Sequence, residues 1–388
     1  MKRIATVAAL GLLAVAAPVL MGLGGDADAE HHDNAPQPPR EAETIEIGET
    51  EDLDVDMVSL ADGEQVFTYP DATYVKMHFS RLTLADGDYV TVSDVEGDQV
   101  HRYESALGEL WATSISGDTA VVKLHKADGK VNDATSDLGV KIDKVAKGIP
   151  APEVAEREEA KPHPESVCGD DDQRDAVCYR DGEPEIYANS APVARLLIDG
   201  TTLCTAWRVG EQNRLLTNNH CFSSDKAASD TEVWFNYACA SCGGEETSST
   251  VKVKGDDVIA TDETYDFTLF TVDDFDAIKD FGYLTLADRA PKDAEKLYIP
   301  QHPNGSPSQI ALDSDEDSGG KCQVDSASYD GYATGSDASY YCDTAFGSSG
   351  SPVLSRETHE VVALHHFGGC PNAGVRADKI VERIGEHI

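Results

Sequence analysis

The chain predicts an all-β protein built in two unequal parts. Two observations predict it. Residues 44–148 contain no cysteine and run as short strand signals broken by Gly and Asp turns. From residue 168 onward strand-like runs continue, and all nine cysteines lie between Cys168 and Cys370. The 388 residues fit two domains of ordinary size, and a hydrophobic content of 40% is enough for a core in each.

Taken in order, Lys2 and Arg3 precede an apolar run over residues 4–23, and Ala27-Asp28-Ala29 fits a small-x-small cleavage site. Residues 1–29 are therefore expected to be a signal peptide, which predicts a secreted, extracellular protein. No later segment is apolar enough to span a membrane. Residues 30–43 are polar and Pro-rich and read as a disordered tether.

In residues 44–148, Val75, Met77 and Phe79 alternate with Tyr74, Lys76 and His78, the pattern of a half-buried strand. Asp86-Gly87-Asp88 marks a turn, followed by Tyr89-Val90-Thr91-Val92. Strands are also expected around Leu110-Trp111 and Ala120-Val121-Val122, separated by Ser116-Gly117-Asp118. The expected form is an antiparallel β-sandwich. Residues 149–167 are charged and Pro-rich and read as a linker.

Residues 168–388 form the second part. Val193-Ala194-Arg195-Leu196-Leu197-Ile198 and Thr202-Leu203-Cys204-Thr205-Ala206-Trp207 are expected strands around the turn Asp199-Gly200. Residues 378–384 predict a short terminal helix, with Asp378 as its cap and Ile380 and Ile384 on one face.

The formal charge of −40 argues against nucleic-acid binding, which needs a basic footprint. Its acids are spread over the whole chain and read as a solvated surface. Asp313-x-Asp315-x-Asp317 imitates a calcium loop, but Ser318 and Val324 stand where glycine and glutamate are required, so no metal is expected.

Three stretches carry chemistry. Gly347-Ser348-Ser349-Gly350-Ser351-Pro352-Val353 sets a serine among small residues, which lets its hydroxyl stand clear and lets backbone N–H groups turn toward a developing oxyanion. Leu215-Leu216-Thr217-Asn218-Asn219-His220-Cys221 presents a histidine after an apolar run. Tyr265-Asp266-Phe267-Thr268-Leu269-Phe270 presents an aspartate opening a strand. The order His, Asp, Ser is one of those in which a Ser-His-Asp triad occurs.

These stretches resemble the signatures of the trypsin-like, chymotrypsin-fold serine endopeptidases, above all the bacterial lysyl and glutamyl endopeptidases. Val233-Trp234-Phe235-Asn236-Tyr237 and Gln301-His302-Pro303-Asn304 are similar to further lysyl endopeptidase segments. The resemblance covers about residues 166–388 and implies two antiparallel six-stranded β-barrels. The sandwich resembles the CUB-like accessory modules of secreted proteases.

On the resemblance, Ser349 is the nucleophile, His220 its base and Asp266 the residue that orients the imidazole; Gly347 and Ser349 supply the oxyanion hole. Asp343, six residues before Ser349, would select Arg or Lys side chains. Against it stand His365 and His366: glutamyl endopeptidases place a histidine beside the aromatic-Gly-Gly segment, here Phe367-Gly368-Gly369, to receive an acidic side chain, and lysyl endopeptidases also carry a histidine there. His366, Phe367 and Gly368 would pair with substrate backbone. Ser348 replaces the aspartate that anchors a new N-terminus in trypsin-type enzymes, so activation by N-terminal insertion is not expected.

Cys204 lies in a strand and Cys221 adjoins His220, so a bridge between them would fix the histidine loop. The resemblance adds Cys168 with Cys370, Cys322 with Cys342, and Cys178 with Cys239 or Cys242, which leaves one cysteine free. The expectation is a monomeric, cofactor-free endopeptidase acting on proteins and peptides after Arg or Lys. A glutamyl-specific endopeptidase, or an idle binding protein on a protease scaffold, are the alternatives.

Overall fold

The computed structural model describes residues 44–57, 63–106, 108–127, 138–159 and 167–388. The expected signal peptide and tether, and residues 160–166 of the expected linker, lie outside them.

The sandwich forms as expected from two antiparallel sheets. One follows Gly48–Met57, Gly139–Gly148, Tyr74–Thr83 and Leu110–Trp111, with Ile115–Ser116 also paired to Tyr74–Thr83. The other follows Glu64–Thr68, Thr119–His125, Tyr89–Ser93 and Val100–Tyr103. Their inner faces meet in one core that includes Val75, Met77, Phe79, Val90, Val92, Val122 and Ile142. Gly87 turns the chain with φ 87°, in the left-handed region that glycine enters without a Cβ penalty.

The alternation expected around residue 76 reads differently in the fold. Tyr74, Lys76 and His78 are also buried: Tyr74 and Lys76 face the C-terminal part, and His78 packs on Trp111 and Asp143 within the sandwich. A half-polar pattern on a strand cannot tell water from a polar interface.

Six antiparallel strands close the first barrel: Val193–Ile198, Thr202–Arg208, Leu215–Thr217, Phe267–Val272, Val251–Asp262 and Glu232–Phe235. Asp199 (φ 50°) and Gly200 (φ 75°) both take left-handed conformations and make the tight hairpin expected there. The second unit is an eight-stranded sheet. Its ring is Leu297–Gln301, Pro352–Ser355, Val361–Phe367, Asn372–Arg376, Asp337–Tyr340 and Val324–Tyr329. Backbone bonds from Leu297 N to Cys322 O and from Val324 N to Glu295 O bring its two ends together. Gln309–Ala311 and Arg174–Asp175 extend one edge. The fold is the chymotrypsin-like pair of antiparallel barrels preceded by a β-sandwich.

The terminal helix Ala377–Ile384 buries Ile380 and Ile384 as expected. Its cap is Arg376; Asp378 sits in the first turn and pairs with Arg376 at 2.6 Å, where a carboxylate also favours the helix dipole. Disulfides join Cys168 to Cys370, Cys178 to Cys242, Cys204 to Cys221 and Cys322 to Cys342. Cys239 is the free, buried cysteine.

The expected linker is not all tether. Ala151–Glu159 is a helix whose Val154 is buried beside Ile45, Ile47, Tyr74, Leu203, Trp234 and Phe346. This cluster draws side chains from the sandwich, its flanks and the first barrel. Ile47 N donates to Thr201 O at 2.8 Å, and Tyr74 Oη donates to Gly200 O at 2.7 Å. Lys76 and Glu232 form a fully buried ion pair across the same seam at 2.8 Å.

Candidate active site

His220 follows the barrel strand Leu215–Thr217, and Asp266 immediately precedes the neighbouring strand Phe267–Val272. Strand pairing therefore brings together residues far apart in sequence. Asp266 takes φ 45°, which turns its buried carboxylate back toward the histidine. Its Oδ1 accepts the backbone N–H of His220 at 2.9 Å, and its Oδ2 lies 2.7 Å from His220 Nδ1. Asn218 Nδ2 donates to Asp266 O at 2.8 Å, so the whole loop is clamped. The Cys204–Cys221 bridge ties the same loop to the adjacent strand. Those two cysteines and His220 form the one metal-competent group among the described residues, and the bridge removes both thiolates from that role.

With Nδ1 facing a carboxylate, the neutral imidazole carries its proton there and leaves Nε2 as an acceptor. Burial raises Asp266, but the charges and hydrogen bonds of His220 and His366 outweigh it and hold the carboxyl well below its ordinary range.

Ser349 sits in a turn between two glycines with φ 88° and 89°. Gly350 is required sterically: a Cβ there would lie 2.1 Å from Thr205 O. Ser349 O accepts from Thr205 N at 2.8 Å, and Gly347 O accepts from Thr205 Oγ1 at 2.8 Å. Both carbonyls of the turn thus point into the first barrel. The N–H groups of Gly347 and Ser349 donate to no other described residue. Ser348 is buried, and its Oγ accepts from Ala345 N at 3.2 Å. Ser349 Oγ and His220 Nε2 are both buried, and neither has a hydrogen-bond partner among the described residues.

The expected specificity residues are placed differently. Asp343 is buried, and its two oxygens already accept Cys168 N at 2.9 Å and Asp172 N at 2.8 Å. Burial pushes its carboxyl up to about 6. The carboxylate pins the 168–172 segment to the barrel, in place of standing open at a pocket floor. Gln301 Nε2, at the end of the strand Leu297–Gln301, donates to Asp343 O at 2.8 Å.

His366 is buried. Its Nδ1 lies 3.1 Å from Asp266 Oδ2 and its Nε2 lies 2.6 Å from Asp337 Oδ2, so both ring nitrogens are used inside the protein. Burial alone would lower His366, but Asp337 and Asp266 outweigh it and hold it up to about 9. Phe367 is buried and pairs in register with Ala373, and Tyr332 lies edge-on to both His366 and Phe367.

Sequence reasoning missed Asp337, because an aspartate inside a strand carries no motif. His365, the other histidine beside the aromatic-Gly-Gly segment, has a buried side chain with Nδ1 2.8 Å from Tyr340 Oη and Nε2 unpartnered. Burial, with the His366 and His220 charges, pushes His365 down to about 3. In the acidic loop, Asp313 pairs with Lys321, Asp315 accepts Asp170 N and Asp317 accepts Gln323 N.

Residues 204–364 match the family described as "Trypsin-like peptidase domain". The chain is 32% identical over 327 residues to "Secreted RxLR effector protein 73" of Plasmopara viticola, across 80% of this chain and 78% of that protein. Among solved structures it is similar to a Glu endopeptidase in complex with MPD, at 22% identity and TM-score 0.41, covering 57% of this chain and 98% of that one. It is also similar to the active form of the Rv3671c protease from M. tuberculosis, at 12% identity and TM-score 0.40, covering 58% and 91%. Residues 204–364, which take in His220, Asp266 and the Ser349 turn, thus carry a trypsin-like peptidase domain.

Proposed function

We propose that this chain is a secreted serine endopeptidase that cleaves peptide bonds through an acyl-enzyme. The observation that carries the reading is a pair of buried atoms without partners, Ser349 Oγ and His220 Nε2, backed by an imidazole whose other nitrogen is held by Asp266.

His220 Nε2 takes the Ser349 proton as Oγ attacks the scissile carbonyl carbon. The carbonyl oxygen becomes an oxyanion, and the N–H groups of Gly347 and Ser349 are free to donate to it. The imidazolium, stabilised by Asp266, then protonates the departing amine, leaving an ester on Ser349. Water, deprotonated by His220, attacks that ester, and collapse of the second intermediate releases the acid and restores the serine proton.

The specificity follows from which polar atom remains available. Asp343 has both carboxylate oxygens engaged, so an incoming cation would compete with two backbone donors. His365 Nε2 is unengaged. In the tautomer whose Nδ1 accepts from Tyr340 Oη, Nε2 carries the proton and can donate to an oxygen acceptor. We therefore assign the residue before the cleaved bond as Glu ahead of Arg or Lys.

Four disulfides and the word "Secreted" in the relative's name support an extracellular location, with residues 1–29 as the signal peptide. The test is labelling with a fluorophosphonate. The mature chain should be modified, and Ser349→Ala should abolish both labelling and turnover with the fold intact. A folded wild-type sample that does not label would favour a binding protein on the protease scaffold.

A further inference from the structure

We propose that Arg195 is the centre of a carboxylate-binding site in the seam between the sandwich and the first barrel. Arg195 lies on the strand Val193–Ile198, in register with Thr205 and Trp234. Its neighbours Ala194 and Leu196 point into the barrel core, while Leu197 joins the seam cluster. The alternation of a strand therefore turns the Arg195 side chain outward into the seam.

The residue is only 5% exposed. Its guanidinium lies 4.3 Å from the Trp234 ring and 5.4 Å from that of Tyr237. Among the described residues it makes no ion pair, and Nε is fully enclosed with no hydrogen-bond partner. Contact with aromatic faces stabilises the charge but leaves the N–H donors in the guanidinium plane unused.

The surroundings do not balance that charge. Lys252 Nζ lies 4.0 Å from the same Trp234 ring. The fully buried carboxylate nearby, Glu232, is bound to Lys76, Ser114 and Trp234 Nε1. Arg195, Lys76 and Lys252 thus share one fully buried carboxylate in a chain of net charge −40. An unpaired buried cation is costly, and a guanidinium fork matches a planar carboxylate through two parallel hydrogen bonds.

Gly305 connects this site to the nucleophile turn. A Cβ on Gly305 would lie 2.6 Å from Leu203 and 3.3 Å from Arg195 Nε. A Cβ on Gly347 would lie 3.3 Å from the same leucine and 3.5 Å from Gly305 N.

The test uses the full chain carrying Ser349→Ala, titrated at constant ionic strength with N-acetylglycine, its uncharged amide, or inorganic phosphate. Thermal midpoint and tryptophan emission are read, the latter because Trp234 touches the guanidinium. N-acetylglycine should give a saturable change in emission and raise the midpoint by a few degrees at high occupancy, while the amide does neither. Arg195→Met should abolish the response and leave the ligand-free midpoint equal or higher, because an unpaired charge is replaced by an apolar chain. Arg195→Lys, which keeps charge but loses the fork, should weaken binding tenfold or more. A wild type without a saturable carboxylate response, a response to phosphate alone, a response surviving in Arg195→Met, or equal binding by Arg195→Lys would overturn the assignment.

Discussion

His366 Nδ1 stands 3.1 Å from Asp266 Oδ2, the same oxygen that His220 Nδ1 reaches at 2.7 Å. One carboxylate oxygen therefore faces two imidazoles. Because His366 Nε2 also faces Asp337, this ring carries both protons and is held between two buried carboxylates. The carboxylate that holds His220 is itself held from behind by a cation.

This arrangement predicts a pH dependence of stability. His366 is raised from 6.5 to about 9, so its contribution is fully present below pH 6.5 and is lost as the pH rises through about 9. Urea unfolding of Ser349→Ala should show a decline on the order of 3 kcal/mol over that window. Asp337→Asn should flatten the decline. An equal slope in both proteins would show that the pair does not govern it.

Specificity is separable from positioning. Asp343→Ser should leave the ratio of Glu to Lys cleavage unchanged but destabilise the fold by about 1–3 kcal/mol, since two buried backbone N–H groups lose their acceptor. His365→Leu should lower cleavage after Glu by roughly 10- to 100-fold, the loss of one buried hydrogen bond to a charged group. The measurement is kcat/KM on paired Glu and Lys peptides. Loss of Lys cleavage in Asp343→Ser would restore the basic pocket.

The seam should hold the sandwich to the barrels as one cooperative body. Glu232→Gln leaves Lys76 buried without its partner and should cost about 3–5 kcal/mol. Lys76→Met combined with Glu232→Leu should recover only part of that loss, because the pair is gone but Ser114 and Trp234 Nε1 still lose their acceptor. Calorimetry should show a single transition in the parent. Separate sandwich and barrel transitions would contradict this reading.

The order His220, Asp266, Ser349 was legible because each sits in a local pattern that survives without neighbours: an apolar run, a strand opening, a glycine-flanked turn. The alternating strands of the sandwich and the Cys204–Cys221 bridge were legible for the same reason. Tertiary structure alone decided what the remaining polar residues touch. Asp343 and His366 occupy positions that suggest substrate contacts, yet the fold gives their polar atoms to Cys168 and Asp172, and to Asp266 and Asp337. Lys76 alternates with Val75 and Met77 like a solvated residue, yet it is buried against Glu232, 156 positions away. Sequence periodicity reports which face of a strand is apolar. Whether its polar face meets water, a buried charge or a substrate depends on contacts between segments distant in the chain, and those are set only when the sheets close and pack.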